Sequence, residues 1–286
     1  MTTTKARSEI GEALSQERPE SRKVTTEGLR RMKKRGERIA CLTAYDALMA
    51  GILDASGIDV LLVGDSAGTV VQGLDTTIQV TLEQMLYHCS MVTRAVHRAL
   101  VVCDLPFMTF QVSAEEALRC AGRLFKEAGA EAVKLEGGKP FCGVVQRLTE
   151  SGMPVMGHLG LTPQSIHHFG TYRVRGADER EAQQIEDDAK RLEDAGAFAI
   201  VLEKIPSDLA RRVAESVEIP IIGIGAGPHV DGQILVTHDM LGLFTRFHPR
   251  FVRRYAEIAK GMGKAFEAYA QDVREGKFPS AEESYD

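Results

Sequence analysis

The chain has 286 residues, 44% of them hydrophobic and 26% charged, with a formal charge of -5; it is long enough to bury a sizeable core, and its balance of signs argues against nucleic acid as a partner. The opening stretch MTTTKARSEIGEALSQERPESRK is charged throughout and lacks the apolar centre of a signal peptide, and no later run is long enough to span a bilayer. A cytoplasmic protein with no membrane contact is expected.

Residues 1–23 read as a polar N-terminal tail. Residues 24–286 read as one domain, because no Pro/Ser-rich linker or shift of composition interrupts 25–260. Within it, short apolar runs rich in β-branched residues alternate with amphipathic stretches. The expected strands are IACLTA (39–44), DVLLVG (59–64), ALVVCD (99–104), EAVKLE (131–136), PVMGHL (154–159), AFAIVLE (197–203), PIIGIG (220–225) and QILVTH (233–238). Helix starts are marked by Thr81 with Gln84, Ser113 with Glu116 and Asp178 with Glu181, the spacing of a capping box. Helix ends are marked by Gly57, Gly129, Gly152 and Gly196, each shortly before the next strand. Phe251, Tyr255, Ile258, Met262 and Phe266 share a helical face near the C-terminus, which reads as a closing helix or an oligomer contact. The five cysteines (Cys41, Cys89, Cys103, Cys120 and Cys142) show no CxxC spacing, so reduced thiols are expected rather than a disulfide framework or a zinc site.

Eight strands alternating with helices leave two arrangements, an open doubly wound sheet or a closed barrel, and the count with this length favours a single-domain (β/α)8 TIM-type barrel. In such a barrel the functional groups lie at the C-terminal ends of the strands. Asp65, Asp104, Glu136, His158 and Glu203 all fall at or just past strand ends. A lone Asp there is more often a helix N-cap, but adjacent strands are about 5 Å apart, so Asp65, Asp104 and Glu136 can converge. Three hard oxygen donors suit an ion such as Mg²⁺. Lys134 shares a strand face with Glu136, away from Val133 and Leu135, and needs an anionic partner there. It is expected to neutralise the carboxylates and to contact an anionic substrate. Glu203 stands two strands from Glu136 and suits a proton carrier better than a ligand. His158 reads either as a hydrogen-bonded core residue or as a functional one, and it is placed among the residues expected to contact substrate. His167 and His168 lie in a long loop, where a surface or lid role is expected. GIGAG (223–227) lacks the lysine of a P-loop, so it reads as a close backbone approach rather than a phosphate cradle.

These residues sit in a run of strings that resembles the ketopantoate hydroxymethyltransferase family over about residues 24–270: LTAYDALMAGILDASGIDVLLVGDSAGTVVQG, TTIQVTLEQMLYH, CDLPF, AVKLEGG, GHLGLTPQS, YRVRG, IVLEKIP, IPIIGIGAG and DGQILV. The resemblance implies hydroxymethyl transfer from 5,10-methylenetetrahydrofolate to 3-methyl-2-oxobutanoate, giving 2-dehydropantoate for pantothenate synthesis. It further implies Mg²⁺ on Asp65, Asp104 and Glu136, substrate contacts from Asp65, Ser66, Asp104 and Lys134, Glu203 as the base, and a homo-oligomer, commonly a decamer. Thr69 and the loop HHFGTYRVRG depart from the family pattern. Two other readings compete: a Mg-dependent 2-oxo acid lyase or mutase of the isocitrate lyase and phosphoenolpyruvate mutase type, and a non-catalytic ligand-binding barrel.

Overall fold

A computed structural model describes residues 22–246 and 248–285; nearly all of the polar tail therefore lies outside the described residues. The chain divides into two compact units, one ending at Ile234 and one running from Leu235 onward.

The first unit is built on strands β1 Ile39–Thr43, β2 Val60–Val63, β3 Leu100–Asp104, β4 Ala132–Glu136, β5 Val155–Gly160, β6 Ala199–Glu203, β7 Ile221–Ile224 and β8 Gly232–Leu235. They form a closed barrel in sequence order, with parallel pairing from β1 through β8. Closure removes every sheet edge, the (β/α)8 outcome expected from the strand count. Side-chain alternation separates two cores. Val133, Leu135, Ile200 and Leu202 pack outward with the helices, whereas Val102, Ala132, Met156, Val201 and Ile222 fill the barrel interior. Both faces are apolar because parallel strands are covered on both sides.

Ahead of the barrel comes α1, Thr26–Arg35. Its Leu29 is 0% exposed and belongs to the interior cluster, so this helix plugs the N-terminal end of the barrel. Lys33 fastens it there, with Nζ donating to the carbonyls of Ala214, Val217 and Ile219, each at 2.9 Å. The opposite, C-terminal end is left for the site.

The expected helix starts are present. α2 is Ala47–Ala55, α3 Ala67–Val70, α4 Leu82–Ala95, α5 Ala114–Ala128, α6 Cys142–Glu150, α7 Ile166–Phe169, α8 Glu179–Asp194 and α9 Ser207–Ser216. Thr81 and Gln84 form the reciprocal capping box of α4. Ser113 and Asp178 cap α5 and α8, but Glu181 turns instead to the Gly176 N–H and Arg175. Gly57, Gly129, Gly152 and Gly196 all adopt left-handed φ, between 74° and 95°. Seven of the strands are one or two residues shorter than expected, β5 keeps its length but is shifted by one residue, and the largest difference is at β8. Thr237 and His238, expected in that strand, open the short helix α10, Thr237–Met240.

The second unit contains α11, Ile258–Arg274. Phe251 and Tyr255 precede this helix and so leave the expected stripe, which instead runs through Ile258, Met262, Phe266, Tyr269 and Val273, all exposed. Among the described residues no helix is long and apolar enough to cross a membrane.

Candidate active site at the C-terminal end of the barrel

Strand register decides which polar side chains meet. Asp104 on β3 pairs with Lys134 on β4, Glu136 on β4 with His158 on β5, and Gly160 on β5 with Glu203 on β6. Lys134 and Glu136, two residues apart, face the same side and join these pairs into one cluster. Asp65, Asp104, Lys134, Glu136 and His158 are all at most 4% exposed. The Glu203 side chain is 17% exposed and borders the mouth.

Burying so many charges is tolerable only because they are paired. Lys134 Nζ lies 2.7 Å from Asp104 Oδ1, at an angle that leaves this oxygen without a well-directed hydrogen bond. Asp104 Oδ2 accepts from the Asp65 N–H at 2.9 Å. Gly64 leaves room for the neighbouring hydroxyl, since a Cβ there would sit 2.8 Å from Ser66 Oγ. Ser66 Oγ in turn meets Tyr45 Oη at 2.8 Å.

His158 stands between two carboxylates, with Nδ1 3.4 Å from Glu136 Oε1 and Nε2 3.3 Å from Glu203 Oε2. Burial and the Lys134 charge push its pKa down, but the adjacent Glu136 and Glu203 carboxylates outweigh them and raise it to about 9. It is therefore an imidazolium at neutral pH. Lys134 Nζ is 3.3 Å from His158 Nδ1; with both protonated this contact is repulsive, and the surrounding carboxylates offset it. Burial pushes the Lys134 pKa down, yet Asp104, Glu136 and Asp65 carry it above the ordinary lysine value. Burial pushes Glu136 up, yet His158 and Lys134 hold it below the usual carboxylate range. Asp65 goes the other way: burial, then the negative charges of Asp104 and Glu136, raise it well above the ordinary value.

Asp65 is thus the carboxylate most short of positive charge, which is what a cation would supply. Among the described residues no three His, Cys, Asp or Glu side chains form a ready-made metal cage. A Mg²⁺-type ion does not require one, since it commonly takes one or two carboxylates and completes its shell with water and substrate oxygens. Asp65 and the poorly bonded Asp104 oxygen fit that pattern, with Glu136 beside them.

A family model described as ketopantoate hydroxymethyltransferase matches residues 23–281. The chain belongs to the ketopantoate hydroxymethyltransferase family. A 3-methyl-2-oxobutanoate hydroxymethyltransferase of Christiangramia forsetii is 56% identical over 95% of this chain and 100% of that protein. One of Salinibacter ruber is 57% identical over 92% and 99%. Among solved structures, phosphonopyruvate hydrolase in complex with oxalate and Mg²⁺ superposes with a TM-score of 0.60 at 15% identity, covering 90% of this chain and 92% of that one. For 2,3-dimethylmalate lyase, of the phosphoenolpyruvate mutase/isocitrate lyase superfamily, the TM-score is 0.55 at 16% identity, covering 91% of each chain. These two likenesses establish the shared barrel fold.

In this ketopantoate hydroxymethyltransferase family member, every residue expected at the site lies at the same end of the barrel. Sequence reasoning passed over two others. Tyr45 lies two residues past the end of β1, where a polar residue just beyond a strand could have flagged it. Gln164 gave no such signal: it sits six positions past His158 in an irregular turn, Pro163–Ser165. His167 and His168 are exposed, as expected. GIGAG is a close backbone approach: Gly225 and Gly227 have φ of 63° and 80°, and a Cβ on Gly227 would collide with Ser207.

Proposed function

We propose that this chain transfers a hydroxymethyl group from 5,10-methylenetetrahydrofolate to 3-methyl-2-oxobutanoate, giving 2-dehydropantoate and tetrahydrofolate. The observation that carries this reading is the match, above half identity over nearly the whole chain, to relatives named for that reaction. The site has the chemistry that the reaction requires.

The substrate is an anion whose C3–H bond must break, and the electron pair left behind must be held until C3 bonds to the methylene carbon of the folate. Water then supplies the hydroxyl oxygen as the carbon–nitrogen bond to the folate breaks, and the nitrogen takes up a proton to leave as tetrahydrofolate. In this reading Asp65, Asp104 and Glu136 hold Mg²⁺, which would polarise the 2-oxo group and offset the charge that develops on it. Lys134 balances charge near the same oxygen without giving up its proton. Ser66 Oγ, steadied by Tyr45, offers a hydroxyl to the substrate carboxylate. Glu203 takes the C3 proton. Its placement supports this assignment, because it borders the mouth while the other carboxylates lie deeper. His158, in contact with Glu203, orients that carboxylate.

A homo-oligomer is part of the same reading, with the exposed apolar stripe of α11 as a contact; light scattering of the purified chain tests it. The function itself is tested by turnover of 3-methyl-2-oxobutanoate with and without methylenetetrahydrofolate, each with and without EDTA. Product formation that needs both folate and divalent cation is expected. Consumption without folate would favour a lyase of the phosphoenolpyruvate mutase type, and no turnover with no Mg²⁺ uptake would favour a non-catalytic barrel.

A further inference from the structure

Gln164 is 5% exposed, lies in the single 3-10 turn Pro163–Ser165 of the loop after β5, and reaches two carboxylates of the site. Its Nε2 donates to Asp65 Oδ2 at 2.9 Å and to the Leu105 carbonyl at 3.0 Å. Its backbone N–H donates to Glu136 Oε2 at 2.9 Å. One residue from the loop after β5 therefore holds two carboxylates contributed by β4 and by the turn after β2.

A side-chain amide works in this way only if its nitrogen, and not its oxygen, faces the carboxylate. Gln111, in the loop after β3, fixes that direction. Gln111 Oε1 accepts from the Met108 N–H at 2.7 Å and from the Phe110 N–H at 3.3 Å. With its oxygen committed to backbone donors, Gln111 turns Nε2 toward Gln164 Oε1, at 3.2 Å. Gln164 Nε2 must then point at Asp65. Two backbone N–H groups thus set the sense of a relay of two amides that ends on a carboxylate of the site.

We infer that Gln164 is a positioning residue for Asp65 and Glu136, and that Gln111 sets its direction from outside the site. The inference rests on the reading that these carboxylates hold a divalent cation. Partners that orient metal-binding carboxylates commonly contribute about 10- to 100-fold in metal affinity.

The test is calorimetric titration of Mg²⁺ into the full-length protein in the presence of 3-methyl-2-oxobutanoate. Gln164→Met keeps the length and removes all three hydrogen bonds of the side-chain amide; about 10- to 100-fold weaker Mg²⁺ binding is expected. Gln111→Glu is more discriminating. It replaces the Nε2 donor with a second acceptor, which turns the Gln164 amide round and sets its oxygen against Asp65. Coulomb attraction alone makes the added negative charge tighten cation binding, whereas the relay makes binding weaker, by about 10-fold. In a Gln164→Met background, Gln111→Glu should have little further effect, because the relay is already cut. Gln111 is only half-buried, so its variant decides the question even if Gln164→Met fails to fold. Unchanged or tighter binding by Gln111→Glu, with the wild type binding normally, overturns the inference alone. No Mg²⁺ uptake by the wild type overturns the cation reading on which it stands.

Discussion

Lys134→Met tests whether the buried charges at the barrel mouth act as one mutually dependent set. The two side chains are similar in length, so the substitution removes the ammonium and leaves most of the packing. Lys134 Nζ lies 2.7 Å from Asp104 Oδ1, with side-chain exposures of 5% and 3%. At that distance and an effective dielectric of about 20, the attraction is about 6 kcal/mol before desolvation is subtracted. Removing one partner of such a pair leaves an uncompensated buried charge and commonly costs about 3 to 5 kcal/mol. We expect a loss in that range at about pH 7.5, measured by urea unfolding in EDTA. The loss should shrink as the pH falls, because Asp65, already held well above the ordinary carboxylate value, takes up a proton more readily once Lys134 no longer opposes it. A loss below about 1 kcal/mol, or one that does not change with pH, would refute this reasoning.

Three further outcomes are expected. The His158 pKa is raised from 6.5 to about 9, so its contribution to stability is complete below about pH 6.5 and is lost as pH rises through about 9; at about 1.36 kcal/mol per tenfold in proton affinity this is about 3 kcal/mol. Metal-free wild type should lose stability across that window, and His158→Gln should flatten the profile. Since Asp65 must ionise to bind a cation, Mg²⁺ should raise the melting temperature more at about pH 8 than at about pH 5.5; an equal effect at both would count against Asp65 as a ligand. Gly160 has φ of 90° and a Cβ there would collide with the Glu203 carbonyl; Gly160→Ala should cost about 2 kcal/mol or more and lower turnover by displacing Glu203.

The strands, the helix caps and the terminal glycines were legible because each depends on local chemistry: β-branched apolar runs, an acceptor at the N-cap, a left-handed residue at the end. The carboxylates were legible because a charge closing an apolar strand has few other uses. Register was not. Nothing local says that Asp104 lies opposite Lys134 or Glu136 opposite His158, since the shear of the barrel sets those pairs. His158 stayed ambiguous for the same reason: its charge comes from Glu136 and Glu203 on neighbouring strands. Gln164 was invisible because it reaches Asp65 across 99 positions of sequence from an irregular turn. The C-terminal helix was expected too early because Phe251 and Tyr255 happen to continue its spacing.

The role proposed for Glu203 is to take the C3 proton of a 2-oxo acid held over the buried carboxylates. It is tested most directly by proton NMR of 3-methyl-2-oxobutanoate in D2O with Mg²⁺ and no folate, comparing wild type with Glu203→Gln. Wild type should exchange the C3 proton for deuterium, and the variant should bind substrate and Mg²⁺ while exchanging at least about 100-fold more slowly. Exchange at the wild-type rate in Glu203→Gln would contradict the account.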